Sequence, residues 1–279
     1  MFIRCWGCRG SIPVSGADYL RHGGDTTCLE IRTADDRIII IDCGSGIRRL
    51  GKLLLAEQRT AFSILFTHAQ SDHIGSFPFF RPIYSSRTSI DFYGCPFTQD
   101  SIRAFVSRTM EPPFFPISID DVRGTFTFHD ICGEEFAIGS LAVQPITLNH
   151  PNGGLGYRFT EGGKSFVFLT DNELGSPHPG GLPFEDYRDF AAGADLLVHD
   201  AEYTEAEYVR TRGWGHSHYR QALELALAAG VGRFGLFHHN QDRTDDELDE
   251  MVTDCRRIIA GRGSSMECFA LTQETAIVL

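Results

Sequence analysis

The chain has 279 residues, 42% of them hydrophobic and 22% charged, a composition that fits an ordinary globular protein and excludes a disordered one. This length suits one α/β domain with a large core. With 25 Lys and Arg against 37 Asp and Glu the formal charge is −12, a field that repels polyanions, so generic nucleic-acid binding is disfavoured; a small anion is still drawn to a divalent cation, the largest local charge a site can hold.

The opening Met1-Phe2-Ile3-Arg4-Cys5-Trp6 lacks the basic-then-apolar order of a targeting segment, and no apolar run approaches the roughly 18 residues of a membrane span. A cytoplasmic protein with no membrane partner is expected. The eight cysteines, at 5, 8, 28, 43, 95, 132, 255 and 268, form no framework and are expected to be reduced. Cys5 and Cys8 have no second C-x-x-C pair to complete a zinc ribbon and read as buried thiols.

In chain order, the first buried strand is Arg37–Ile41, ending at Asp42, and the second is Phe62–Phe66, followed by Thr67 and His68. Gly75–Val122 carries Phe77-Pro78-Phe79-Phe80 and Pro112-Pro113-Phe114-Phe115-Pro116 and reads as a loop-rich apolar wall. Strand Leu141–Leu148 leads to His150, Ser165–Leu169 to Asp171, and Asp195–Val198 to His199 and Asp200. A helix is predicted from Ser217, as N-cap, to a stop at Gly230, with Leu223 and Leu227 on one face. Strand Arg233–Phe237 then runs into His238. Last comes an amphipathic helix, Thr244–Ile259, opened by a Thr244/Glu247 capping box, with Leu248, Met251, Val252, Cys255, Ile258 and Ile259 at helical spacing. Strand-rich sequence followed by alternating strands and helices favours an α/β fold, mixed sheets covered by helices.

Successive strands therefore end in Asp42, His68, His150, Asp171, His199-Asp200 and His238. Turn chemistry alone does not explain this, because histidine is not a favoured turn former. Side chains at strand C-termini converge on one sheet edge, where α/β folds place their sites. In Thr67-His68-Ala69-Gln70-Ser71-Asp72-His73, imidazoles and carboxylates leave one short loop in a pattern that can feed two neighbouring cations. Nitrogen and oxygen donors without thiolate suit zinc, with manganese or iron as alternatives, and the chemistry this supports is activation of water, whose pKa falls from about 15.7 to about 7 on zinc. His238 directly continues its strand and is preferred to His239 as the last donor. His199 reads as a packed histidine; His22, His129 and His178 sit in loop-like surroundings and read as surface or structural.

These motifs resemble the metallo-β-lactamase superfamily, whose THxHxDH motif is followed by a His, an Asp and a final His, each after a strand. The resemblance spans essentially the whole chain. It implies an αββα sandwich, a first cation site from His68, His150 and Asp171, and a second from Asp72, His73, Asp171 and His238, with Asp171 bridging. Asp42 in Asp42-Cys43-Gly44-Ser45-Gly46 matches the aspartate that supports the histidine loop. The motif's second histidine is Gln70 here, a neutral and weaker donor, so the first site is incomplete while the second keeps its full set, and one or two divalent ions are expected.

His199-Asp200-Ala201-Glu202-Tyr203 and Gly215-His216-Ser217 are similar to motifs of the branch containing ribonuclease Z and related phosphodiesterases. There the acidic residue, matched by Asp200, orients a histidine, matched by His216, that protonates the leaving oxygen; Asp200, His216 and Asp72 are the catalytic expectation. Such a carboxylate raises imidazole basicity and fixes its tautomer. Gly7-Cys8-Arg9-Gly10-Ser11 and Gly23-Gly24-Asp25-Thr26-Thr27 resemble glycine-rich loops bordering the pocket. The resemblance implies a metal-dependent hydrolase acting on a small phosphodiester such as a cyclic nucleotide. Ester, thioester or lactam hydrolysis at the same site, or a catalytically silent metal-binding module, are the rivals, since one fold hosts many reactions. The chain is compatible with a homo-oligomer.

Overall fold

Ile38–Ile41 is a strand of four consecutive isoleucines, all buried, because a strand presents alternate side chains to opposite faces and here both faces are covered. Ile38 and Ile40 pack into a core beneath helices. Ile39 and Ile41 point the other way, into a core shared by two sheets. That alternation defines the layering of the molecule, seen in a computed structural model that describes residues 1–97 and 99–279.

The first sheet contains β1 (Phe2–Gly7), β2 (Cys28–Arg32), β3 (Ile38–Ile41), β4 (Ala61–Leu65), β5 (Ser89–Gly94) and β6 (Thr125–Asp130). The second contains β7 (Phe136–Ile138), β8 (Leu141–Thr147), β9 (Leu155–Glu161), β10 (Lys164–Leu169), β11 (Leu196–Asp200), β12 (Arg233–Phe237) and β13 (Glu267–Ala270), and β14 (Ala276–Val278) returns to the first. Spatial order is β14-β1-β2-β3-β4-β5-β6 in one sheet and β13-β12-β11-β10-β9-β8-β7 in the other. β3 to β6 run parallel, as do β10 to β13, whereas the remaining pairs are antiparallel. Both sheets are therefore mixed.

Helices α1 (Ile47–Ala56), α2 (Ser71–Ile74) and α3 (Ile102–Arg108) lie in the first half, and α4 (Phe184–Ala191), α5 (Glu205–Thr211), α6 (Tyr219–Ala228) and α7 (Asp245–Gly261) in the second. α1 and α3 cover the first sheet with Ile47, Leu50, Leu54, Phe105 and Val106. α4, α6 and α7 cover the second with Tyr187, Leu223, Leu248 and Val252 among others. This is the αββα sandwich, and Thr244 and Glu247 form the expected capping box on α7.

Three expectations are corrected. α6 is capped by His218, whose side chain accepts from the Gln221 amide, because the Ser217 hydroxyl is already used, donating to the Asn172 carbonyl and accepting from the Leu174 amide. Gly75–Val122 contains β5 and α3 and sends Phe77, Phe80, Phe92 and Phe105 into the core, so it is more than a loop-rich wall. Cys95 and Cys132 are joined by a disulfide, where all eight thiols were expected free: Gly94 and Asp130 are register partners at the ends of parallel β5 and β6, which brings the segments that follow them together. The other six cysteines, Cys5 and Cys8 included, are free and buried.

Candidate active site

Asp42, His68, Asp171 and His238 lie beyond the C-terminal ends of parallel strands β3, β4, β10 and β12, His150 follows β8, and three of these residues turn the chain sharply. Asp42, Asp171 and His238 adopt φ of 62°, 48° and 56°, the left-handed region that non-glycine residues occupy at a cost of about 1–3 kcal/mol and that clusters at functional sites. After β4 the four-residue α2 places Asp72 and His73 one turn beyond His68. The loop is held by the fully buried Asp42 carboxylate, which accepts from the Thr67 amide at 2.8 Å and hydroxyl at 2.7 Å and lies 2.7 Å from His73 Nδ1.

His68, His150 and Asp171 form one group whose ligand atoms lie within 4.8 Å of one another, and Asp72, His73 and His238 form a second. Asp171 connects them: its oxygens lie 3.5 Å from His68 Nε2, 3.2 Å from His73 Nε2 and 3.3 Å from His238 Nε2. Asp72 Oδ2 lies 3.4 Å from His73 Nε2 and 3.2 Å from His238 Nε2, and accepts from the Ser11 amide at 2.8 Å. His68 Nε2, His73 Nε2 and Asp171 Oδ2 are buried without a hydrogen-bond partner among the described residues. Unsatisfied buried nitrogen and carboxylate oxygen facing one another are what a divalent cation would satisfy, so the donor set fits one. Burial holds His68 well below the usual imidazole range and His150 at about 4, so both present lone pairs. Burial opposes charge on Asp171, but His238, His73 and His68 outweigh it and keep the carboxyl ionised.

Gln70 faces the first group. Its amide nitrogen is 2.8 Å from His150 Nε2, while His150 Nδ1 donates to the Gly215 carbonyl at 3.0 Å, which leaves Nε2 as the acceptor. His216 stands beside the second group, its ring stacked on that of His238 with centroids 4.6 Å apart. Its Nδ1 is 2.8 Å from Asp200 Oδ2 and 3.3 Å from Glu202 Oε2. Burial works against a charged ring, but Glu202 and Asp200 outweigh it and raise His216 to about 9.

The remaining histidines lie outside the cluster. His199 is packed against the Asp200 carbonyl and Asn172, and His239 turns to the Leu271 carbonyl at 2.8 Å. His22, His129 and His178 each meet a single carboxylate, Asp249 at 3.1 Å, Asp91 at 3.4 Å and Glu173 at 2.6 Å. His129 lies on β6, not in a loop.

Sequence reading assigned no role to Glu202 or Glu173. Glu202 Oε2 is 2.9 Å from His238 Nδ1 as well as 3.3 Å from His216, and Asn240 donates to its other oxygen at 2.9 Å. One carboxylate thus orients a candidate metal donor, His238, and His216 together. Its place two residues beyond Asp200 at a strand end was the available signal. The glycine-rich loop at Gly10 is also explained: a Cβ there would come 2.3 Å from the His238 ring.

Residues 37–239 match the beta-lactamase superfamily domain, and the chain belongs to that superfamily. With its sandwich and paired His/Asp groups it is a metal-dependent hydrolase of the metallo-β-lactamase fold. A ribonuclease Z of Exiguobacterium sibiricum is 26% identical over 277 residues, covering 86% of this chain and 89% of the relative. The metallo-β-lactamase fold protein YhfI of Bacillus subtilis superposes with a TM-score of 0.72 over 99% of this chain and 98% of its own, at 16% identity. A diphosphatase of the PhnP family gives 0.68 over 100% and 97%, also at 16%.

Proposed function

We propose that the protein hydrolyses a small phosphodiester, with a cyclic nucleotide as a candidate substrate, and that His216 is its proton donor. The observation that carries this is the Asp200–His216 pair at 2.8 Å beside the His/Asp groups: an alkoxide leaving from phosphorus needs a proton, and a histidine oriented by a carboxylate is the kind of group that supplies it. His68, Gln70, His150 and Asp171 would hold one cation, and Asp72, His73, Asp171 and His238 the other, with zinc the metal favoured by the donor set. Bound there, divalent cations lower the pKa of water and neutralise phosphoryl oxygens. Asp200 and Glu202 hold His216 Nδ1, so Nε2 is the nitrogen that gives its proton to the departing oxygen. Ribonuclease Z and a diphosphatase among the similar proteins support phosphorus as the centre attacked. The charge of −12 supports a small substrate over a polyanion. A cytoplasmic location belongs to this proposal, with six unpaired buried thiols in its favour and the Cys95–Cys132 disulfide against it; no described helix is long and apolar enough to cross a membrane.

The test is a turnover panel on zinc-loaded protein: bis-p-nitrophenyl phosphate and a cyclic nucleotide, a p-nitrophenyl carboxylic ester, and a β-lactam. Diester hydrolysis well above the other two is expected. Faster ester or lactam hydrolysis would overturn the assignment.

A further inference from the structure

Between α5 and α6 the chain leaves a large aromatic ring in solvent next to the proton donor. Trp214 is 63% exposed, yet the loop beneath it is rigidly framed. The fully buried Glu173 carboxylate accepts from the amides of Gly213 at 2.7 Å and Gly215 at 2.8 Å and from the Tyr208 hydroxyl at 2.6 Å, and lies 2.6 Å from His178 Nε2. Gly215 in turn receives His150 Nδ1 on its carbonyl, and a Cβ at Gly215 would approach that nitrogen to 2.2 Å. The backbone on both sides of Trp214 is thus fixed relative to His150 and His216. A mobile loop would make an exposed tryptophan unremarkable, but a preorganised one that holds a broad apolar face in water is built as a platform.

Trp214 and His216 line the same pocket, of about 440 Å³, with Tyr203, Arg210, Asn240 and Asp242 on its walls. The pocket on the other side of the donor groups, lined by His68, Gln70, Phe97 and Asn152, is about 110 Å³. Only the first is in the range that accommodates a nucleoside-sized group. Its polar walls offer the amides of Asn240 and Gln241, the carboxylates of Glu202, Glu207 and Asp242 and the Arg210 guanidinium to hydroxyls, and its broad exposed face is the indole.

We propose that this pocket is the leaving-group subsite and that it takes a nucleoside, the base stacked on Trp214. The assignment rests on the phosphodiester reading, because the group that receives the proton of His216 must lie on the side His216 faces. In the step, water oxygen bonds to phosphorus while the bond from phosphorus to the nucleoside oxygen breaks, and His216 Nε2 gives its proton to that departing oxygen; one water proton stays on the phosphomonoester, and the other is released to solvent, from which His216 is reprotonated. Stacking of a base on an aromatic side chain is worth ~1–3 kcal/mol, which corresponds to a binding difference on the order of 10-fold.

The probes are adenosine 5′-monophosphate and ribose 5-phosphate, titrated into zinc-loaded protein by calorimetry and by tryptophan fluorescence. The chain has two tryptophans, and Trp6 is buried and bonded to Glu30, so a fluorescence change on nucleotide binding reports Trp214. The nucleotide is expected to bind about 10-fold tighter than the sugar phosphate and to quench the parent. Trp214→Ala is expected to erase that difference, and Trp214→Phe to keep most of it while losing the quench. Equal binding of the two probes by the parent, no binding of the nucleotide, or a difference that survives in Trp214→Ala would overturn the subsite. These readouts need no turnover. The phosphodiester reading fails separately, when zinc-loaded parent hydrolyses no diester.

Discussion

Gln70 occupies the place of an imidazole, and its contact with His150 at 2.8 Å shows that the position faces the first group of donors. An amide is a weaker donor than imidazole for a borderline cation. Gln70→His is therefore expected to raise the second zinc equivalent at limiting metal, read by metal analysis after dialysis; a stoichiometry and affinity identical to the parent's would show that residue 70 does not contribute to the site. Gly215 gives a second prediction. It combines φ of +101° with a Cβ position 2.2 Å from His150 Nδ1, so Gly215→Ala must displace a candidate metal donor. Gly193 has φ of +63° and open space around its Cβ position, and Gly193→Ala isolates the conformational cost alone. Gly215→Ala should lower zinc affinity as well as the unfolding midpoint, with overpacking costing about 1–3 kcal/mol, whereas Gly193→Ala should affect only the midpoint. Equal zinc affinity in both variants would count against His150 as a donor.

At the scale of elements, β4, β10 and β12 were readable because they are largely apolar runs, and β8 because buried and exposed residues alternate along it; each leads to a His or Asp, and the histidines are not favoured turn formers. Among the strands not singled out, β5 and β6 had weak signals. β6 alternates half-buried and exposed residues at a sheet edge, and β5 was masked by the Phe-Pro clusters around it. The cap of α6 was misplaced by one residue because a serine before a helix looks like an N-cap until its hydroxyl is claimed by a loop 45 residues away. Glu173 and Glu202 were invisible as site residues for the same reason: their partners lie 40 and 36 residues along the chain, and only the fold brings them together. The packing of α6 on α7 carries a pH prediction. Burial would raise the Asp254 carboxyl, but hydrogen bonds from Arg257, Arg220 and Tyr219 outweigh it and hold the group at about 2. A depressed carboxyl stabilises the fold above its unfolded pKa, near 4, and that stability is lost as pH falls from about 4 toward 2. Asp254→Asn should be less stable at pH 7 and show a shallower loss across that window in acid denaturation followed by circular dichroism. A parallel pH dependence in the variant would remove the carboxylate from this role.

Across the whole molecule, the two sheets bring strand ends from both halves of the chain to one edge, so that His68 and His73 from the first half meet His150, Asp171, His216 and His238 from the second. Neither half holds the site alone. The net charge of −12 works against a long polyanion unless cations are bound. Membership of the superfamily fixes the fold, but one fold hosts many reactions, so the reaction has to be decided at the site. The most direct measurement is therefore kcat/KM of His216→Ala, loaded with zinc to the parent's metal content, on a p-nitrophenyl and an alkyl phosphodiester. The alkyl diester, whose leaving alkoxide needs the proton, should lose about 10²- to 10⁴-fold, and the p-nitrophenyl diester far less. Equal losses on the two substrates, with metal content unchanged, would contradict His216 as the proton donor.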